Sequence, residues 1–170
     1  MTSEVVYYIS HYGYLAIFVL VFLQEAGFPN PVPNELVLLF SGYLVFSGIF
    51  NFYIVILIAL VADVTATSIL YFTFMEFGSQ ILKRKPRWIP ISLSRIELFS
   101  RSLSEGGLTS IFICRLTPFI RGYTSVIAGL LQVKTAYFVP IALLSATLWA
   151  SAYILIGTKY SGKNCIFCSD

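Results

Sequence analysis

Two stretches of this sequence, 52–74 and 136–158, are predominantly apolar, the first with Asp63 as its one charge and the second with Pro140 inside it. Crossing the hydrocarbon core of a bilayer takes about 20 mostly apolar residues in a helix. Both stretches meet that length, which constrains the fold more than any other feature. Composition agrees. The 170 residues are 58% hydrophobic and 11% charged, with a mean hydropathy of +0.84, whereas a soluble domain carries about 25% charged residues. The reading is one multi-pass membrane domain over 1–170 in a cell membrane.

The formal charge is +3, and its distribution is uneven. Lys83, Arg84, Lys85 and Arg87 cluster, with Arg95 and Arg101 following. Juxtamembrane Lys and Arg accumulate on the cytosolic side, which places this segment there. So apolar a chain excludes nucleic acid as the partner of the basic run. Glu4 is the only charge before residue 25, so the positive start of a cleaved signal is absent. Segment 80–105 mixes basic and apolar residues, with Ile96, Leu98, Phe99 and Leu103 near one helical face. An amphipathic linker helix on the membrane surface is expected there, and a tail over 159–170.

The remaining apolar segments are short and broken. Segment 12–24 runs into Gln24-Glu25-Ala26-Gly27-Phe28-Pro29-Asn30-Pro31-Val32-Pro33-Asn34-Glu35, after which 36–50 is apolar again. Three prolines in five residues stop a helix, because each lacks an N–H and restricts the residue before it. Two short apolar helices around such a turn predict a re-entrant hairpin. Irregular backbone persists at membrane depth only when buried in protein or lining a watery cavity. The second half repeats the plan: 108–114 is apolar, Arg115 to Gly122 breaks it around Pro118, and 123–133 resumes before the long stretch. Ser41-Gly42 resembles Ala128-Gly129, Ile58-Ala59-Leu60-Val61 resembles Ile141-Ala142-Leu143-Leu144, and Ser68 matches Ser151. The expected fold is an all-α integral membrane protein of two inverted repeats, 12–74 and 107–158. Each repeat is a re-entrant helical hairpin plus a transmembrane helix. Such repeats place transporter sites at the midplane between broken helices.

Chemistry is expected of the ionisable residues embedded in apolar sequence: Glu25, Glu35, Asp63, Arg115 and Arg121. One charge at the centre of a spanning helix costs about 2.5–3.5 kcal/mol, so five facing lipid would cost roughly 12–18 kcal/mol. They therefore face protein or a cavity, and pair. Three acids and two bases leave one acid over, and a spare acid in a site of low dielectric suits proton coupling. Arg115 and Arg121 present planar forks of donors that fit phosphate oxygens, just before a half-helix starting near Gly122 whose N–H groups add to an anion site. The competing reading makes the arginines clamps of the hairpin and the acids their partners. Glu35 is also placed as an early-turn acid of the half-helix after Pro33. Tyr71, Tyr123 and Trp149 are expected in packing or interfacial roles, and Glu76 and Glu97 at the surface.

Catalysis has little to build on. His11 is the one histidine, no Ser-His-Asp set or metal-ligand cluster is visible, and no cofactor is called for. Cys165 and Cys168 are spaced as C-x-x-C, short of the four ligands of a structural zinc; they read as tail thiols. A lipid phosphatase or transferase and an ion channel or structural protein remain the rival classes, and homo-oligomerisation stays open.

With these residues in hand, the sequence resembles the DedA family, also described as the SNARE-associated or VTT-domain family. Glu25 to Pro29 and Pro33-Asn34-Glu35-Leu36-Val37-Leu38 look like its acidic first-hairpin motif, with Ser41-Gly42 after it. Cys114-Arg115-Leu116-Thr117-Pro118-Phe119-Ile120-Arg121 with Ala128-Gly129 looks like its second, and Phe138 to Trp149 like its closing segment. Asn34 stands where Gly or Ser is usual, and Cys114 where Phe is common. The resemblance implies proton-linked transport of undecaprenyl phosphate, or a related polyprenyl lipid or phospholipid, between leaflets. It implies scrambling of lipids in eukaryotic relatives. By motif position it implies an acidic pair at Glu25 and Glu35 and essential arginines at Arg115 and Arg121.

Overall fold

The computed structural model describes residues 3–28, 32–84, 109–117 and 121–163, with side chains at 12–28, 32–78, 109–117 and 121–160. Among the described residues every regular element is a helix: α1 (Ser3–Glu25), α2 (Asn34–Phe46), α3 (Phe52–Arg84), α4 (109–116), α5 (Arg121–Leu130) and α6 (Thr135–Lys163). The linker residues 85–105, the turn prolines Pro29 and Pro118, and Cys165 and Cys168 lie outside them.

Local signals set the helix ends. Gly27 follows α1 with φ +85, and the Phe28 N–H donates to Leu23 O at 3.0 Å, the left-handed C-terminal cap that glycine adopts at least cost. Pro33, with ψ 142, caps α2, and Glu35 sits in its first turn, as expected. Asn51 caps α3 by accepting from the Tyr53 and Ile54 N–H groups. Three boundaries differ from expectation. α1 begins at Ser3 rather than near residue 12, because nothing in 3–11 opposes a helix. α3 continues through 80–84 instead of yielding to the linker, since the next breaker is Pro86. The second break is narrower than 115–122: α4 runs through 116, which makes Arg115 helical, and Arg121 opens α5 one residue before Gly122. Pro118 acts on the residue before it and no further back.

α3 and α6 carry the two long apolar spans, Phe52–Gly78 and Thr135–Tyr160. Both are apolar on their exposed faces as well as their buried ones: Leu57, Val61 and Ile69 on α3, and Leu144, Leu148 and Leu155 on α6, are exposed. A helix apolar all round belongs in a core or a bilayer. With these faces open, the bilayer is the medium that fits.

Two compact units result, and neither is a contiguous half of the chain. The first takes its described residues from α1 up to Gln24, Phe28–Asp63 and α6 from Thr147 onward. The second takes them from Glu25–Gly27 and Val64–Ala146. The first is cored by Ile17, Val21, Leu38, Val55, Ala59, Ala62, Ala150 and Ile154. The second is cored by Tyr71, Ala128, Phe138 and Ala142, beside Ile111 and Ile127.

The buried positions recur. α3 buries Val55, Ala59, Ala62, Asp63, Ala66, Thr67, Tyr71 and Phe74; α6 buries Phe138, Ala142, Ser145, Ala146, Trp149, Ala150, Ile154 and Gly157, each 83 residues later. The short helices repeat too. α2 buries Asn34, Val37, Leu38, Ser41 and Gly42, and α5 buries Arg121, Thr124, Ser125, Ala128 and Gly129, each 87 residues later. A methyl added at Gly42 would collide with Ile154 O and stand 3.1 Å from Thr158 N; at Gly129 it would crowd Tyr71 O and stand 3.1 Å from Met75 N. Those partners are again 83 residues apart. In each unit, then, a short helix lays a glycine against the same turn of a long helix from the other half of the chain.

Because backbone atoms of a helix cannot step aside, Gly42→Ala and Gly129→Ala are each expected to cost about 1–3 kcal/mol by overpacking. In a chain of this size that lowers Tm by roughly 3–10 °C. Gly122→Ala meets nothing within 4 Å and should leave Tm unchanged. Thermal unfolding in detergent distinguishes these outcomes.

Candidate functional site

The second unit holds the buried charge cluster. Arg115, on the last turn of α4, is fully buried. Its Nε donates to Ser145 Oγ on α6 at 2.9 Å and its Nη1 to Ser125 Oγ on α5 at 3.0 Å. Ser145 Oγ itself donates to Ala142 O at 3.0 Å, which turns its lone pairs toward the arginine. The guanidinium stands 5.8 Å from the centre of the Phe138 ring, within cation–π reach. Tyr71 stacks on Phe138 with centroids 4.3 Å apart, and its hydroxyl donates to Val133 O, so the ring under the arginine is itself fixed. A buried charge is tolerated only when its donors are met, and two hydroxyls and a π face help to meet this one.

Arg121 opens α5, and its Nε lies 3.3 Å from Glu25 Oε1, with both side chains 5% exposed. The contact is an ion pair off the line of a hydrogen bond. It is one of the acid–base pairs that the charge count anticipates. Thr124 and Ser125 on the same helix are fully buried, which extends the polar lining. The space beside Gly122 is open, since a side chain added there meets no atom within 4 Å.

The other two expected acids belong to the first unit: Asp63 is buried on α3, and Glu35 is half-buried on the first turn of α2. Tyr71 and Trp149 are buried, Tyr123 packs at the edge of a core, and Glu76 is exposed. The first unit also holds an open apolar pocket of about 580 Å³ between α1 and α2, lined by Ile17, Leu20, Val37, Phe40 and Leu44 among others. Among the described residues its lining carries no ionisable group except the Tyr12 phenol. Among the described residues no three His, Cys, Asp or Glu side chains gather as a metal site.

Ser125 and Ser145 escape a reading of the sequence, although both are hydrogen-bond partners of Arg115. A signal was present: Ser145 is a hydroxyl where the repeat-matched position of α3 is Ala62, and Ser125 stands one turn after Arg121 on the same buried face of α5.

The profile of the VTT domain matches residues 32–159. The chain is 27% identical over 165 residues to undecaprenyl phosphate transporter A of Staphylococcus aureus, covering 95% of this chain and 80% of that protein. It is 26% identical over 149 residues to the uncharacterized membrane protein YbfM of Bacillus subtilis, covering 88% and 91%. To undecaprenyl phosphate transporter A of Bacillus subtilis it is 22% identical over 163 residues, covering 96% and 79%. No solved structure matches it significantly.

Proposed function

Because the chain belongs to the VTT-domain family, the DedA family, we propose that this membrane protein carries a lipid phosphate between leaflets, driven by protons. Undecaprenyl phosphate, or a related polyprenyl phosphate or phospholipid, is the cargo. The observation that carries the reading is Arg115: a fully buried guanidinium held by two serine hydroxyls over an aromatic ring. Guanidinium offers phosphate two parallel donors, and in a site shielded from water that attraction is strong. Gly122 leaves open space at the start of α5, where N–H groups and the helix dipole favour an anion. The transporter names of the two relatives support the same cargo.

Glu25, Glu35 and Asp63 are the proton carriers in this reading. A proton on Glu25 cancels its attraction for Arg121 and releases that guanidinium toward phosphate, so proton and phosphate exchange on one arginine. α1–α2 and α4–α5 are the arms of two re-entrant hairpins, turning at Pro29, Pro33 and Pro118. The matched burial of α3 and α6 and the matched glycine contacts support two inverted repeats.

Two experiments test this. Single cysteines at Asn30 and Thr117 are expected to be protected from membrane-impermeant thiol reagents or reached only through a cavity; free labelling of Asn30 from one face would make it an ordinary loop and end the hairpin reading. In proteoliposomes, a labelled polyprenyl phosphate should change leaflet chemically intact, faster with an imposed pH gradient. Release of inorganic phosphate would instead identify an enzyme, and no movement a scaffold.

A further inference from the structure

The internal repeat shows what the fold puts around Arg115 when no arginine is to be held. Ser145 lies 83 residues beyond Ala62 and Phe138 lies 83 beyond Val55, the spacing that matches α6 to α3. Ser125 lies 87 beyond Leu38, the spacing that matches α5 to α2. Leu38, Val55 and Ala62 are fully buried aliphatic side chains of one hydrophobic core. The same positions are therefore packed with aliphatic side chains in the first unit and with two hydroxyls and a ring around a guanidinium in the second. Packing does not require the polar version, and replacing buried charge by well-packed apolar residues is often neutral or stabilising. Its parts are also arranged to orient. One hydrogen bond leaves a planar guanidinium free to swing, whereas bonds from two of its nitrogens to oxygens on two helices, with a ring 5.8 Å from its carbon, fix its plane.

We propose that Ser125 and Ser145 are positioning residues that hold the Arg115 guanidinium in one orientation toward the phosphate of the transported lipid. This rests on the reading of Arg115 as a phosphate-binding group. Loss of either hydroxyl leaves the charge in place but lets the fork turn, so the effect falls on recognition more than on folding.

The test measures KM and maximal rate for a fluorescent polyprenyl phosphate in proteoliposomes, with Tm in detergent. The variants are Ser125→Ala, Ser145→Ala, Ser125→Thr, Ser145→Thr and Arg115→Lys, with each Ser→Ala also made in the Arg115→Lys background. Each alanine variant is expected to raise KM roughly tenfold, the effect of one hydrogen bond to a charged group, with Tm little changed. Threonine, which keeps the hydroxyl, should restore KM in at least one position. In the Arg115→Lys background the alanines should add nothing, because there is no fork left to orient. Alanine variants with unchanged KM overturn the positioning role and leave the phosphate reading standing if Arg115→Lys is impaired. Alanine variants that lose Tm equally in both backgrounds, with KM unchanged in the folded protein, make the serines packing residues and also overturn it. An Arg115→Lys protein with unaltered KM overturns the phosphate reading itself.

Discussion

Replacing Arg115 by lysine is expected to lower transport of a polyprenyl phosphate at least a hundredfold while the protein still inserts and folds. Lysine keeps the positive charge, but its ammonium is a single point of donors on a flexible stem. It cannot bond Ser145 through one nitrogen, Ser125 through another, and still present a parallel pair to phosphate. Two lost hydrogen bonds to a charged group, each contributing about 1.5–3 kcal/mol, account for a change of that size. Arg115→Ala should be as inactive yet still fold; the two neutral hydroxyls it leaves behind can each bond elsewhere, as Ser145 already donates to Ala142 O. If the arginine were a strut instead, lysine would restore stability and transport together and alanine would unfold the protein. Rates and Tm measured on the same preparations separate the two cases.

Arg121→Ala is expected to abolish transport as well, since proton and phosphate exchange on that arginine, and to cost more stability than Arg115→Ala. Its partner is Glu25, a carboxylate 5% exposed and 3.3 Å away. Removing one member of a buried ion pair deprives the other of that counter-charge, at a cost of up to about 3–5 kcal/mol, which for a chain of this length lowers Tm by up to roughly 6–20 °C. The double variant Arg121→Ala/Glu25→Gln leaves no buried charge at that point and should recover most of the loss. Glu25→Gln alone keeps the shape of the side chain but cannot take or release a proton. It should retain Arg121 as a donor and lose the dependence of transport on a pH gradient. A Tm for Arg121→Ala within 2 °C of the parent would mean that the pair contributes little. Gradient-driven transport surviving in Glu25→Gln would remove that carboxylate from the coupling.

Much of this was readable from residues alone, for reasons that also mark where reading stopped. Pro29, Pro31 and Pro33 forbid helix whatever surrounds them, so the break between α1 and α2 was legible. The spans were legible because so long an apolar run has few other uses. The extent of the second break was not: Arg115 and Leu116 are as compatible with helix as with a turn, and only packing decides that α4 continues through them. The buried face of each long helix was equally hidden, since side chains facing lipid are as apolar as those facing the core. The match of Ile58-Ala59-Leu60-Val61 to Ile141-Ala142-Leu143-Leu144 was visible, but its meaning lay in the recurrence of burial, which no string of aliphatic letters displays. Charges in apolar sequence pointed to Arg115, Arg121 and Glu25. The two serines were missed because their partner is 10 and 30 residues away, and a serine in a membrane helix otherwise bonds to its own backbone, as Ser41 does to Val37 O.

The most direct measurement compares two lipids in one vesicle preparation: a labelled polyprenyl phosphate and the polyprenol that lacks the phosphate, each followed between leaflets with and without the protein. Recognition through Arg115 predicts that the phosphate moves faster in the presence of the protein and that the alcohol moves no faster than in empty vesicles. The Arg115→Lys protein should lose that difference. Equal acceleration of both lipids, or a selectivity that Arg115→Lys leaves intact, would contradict it.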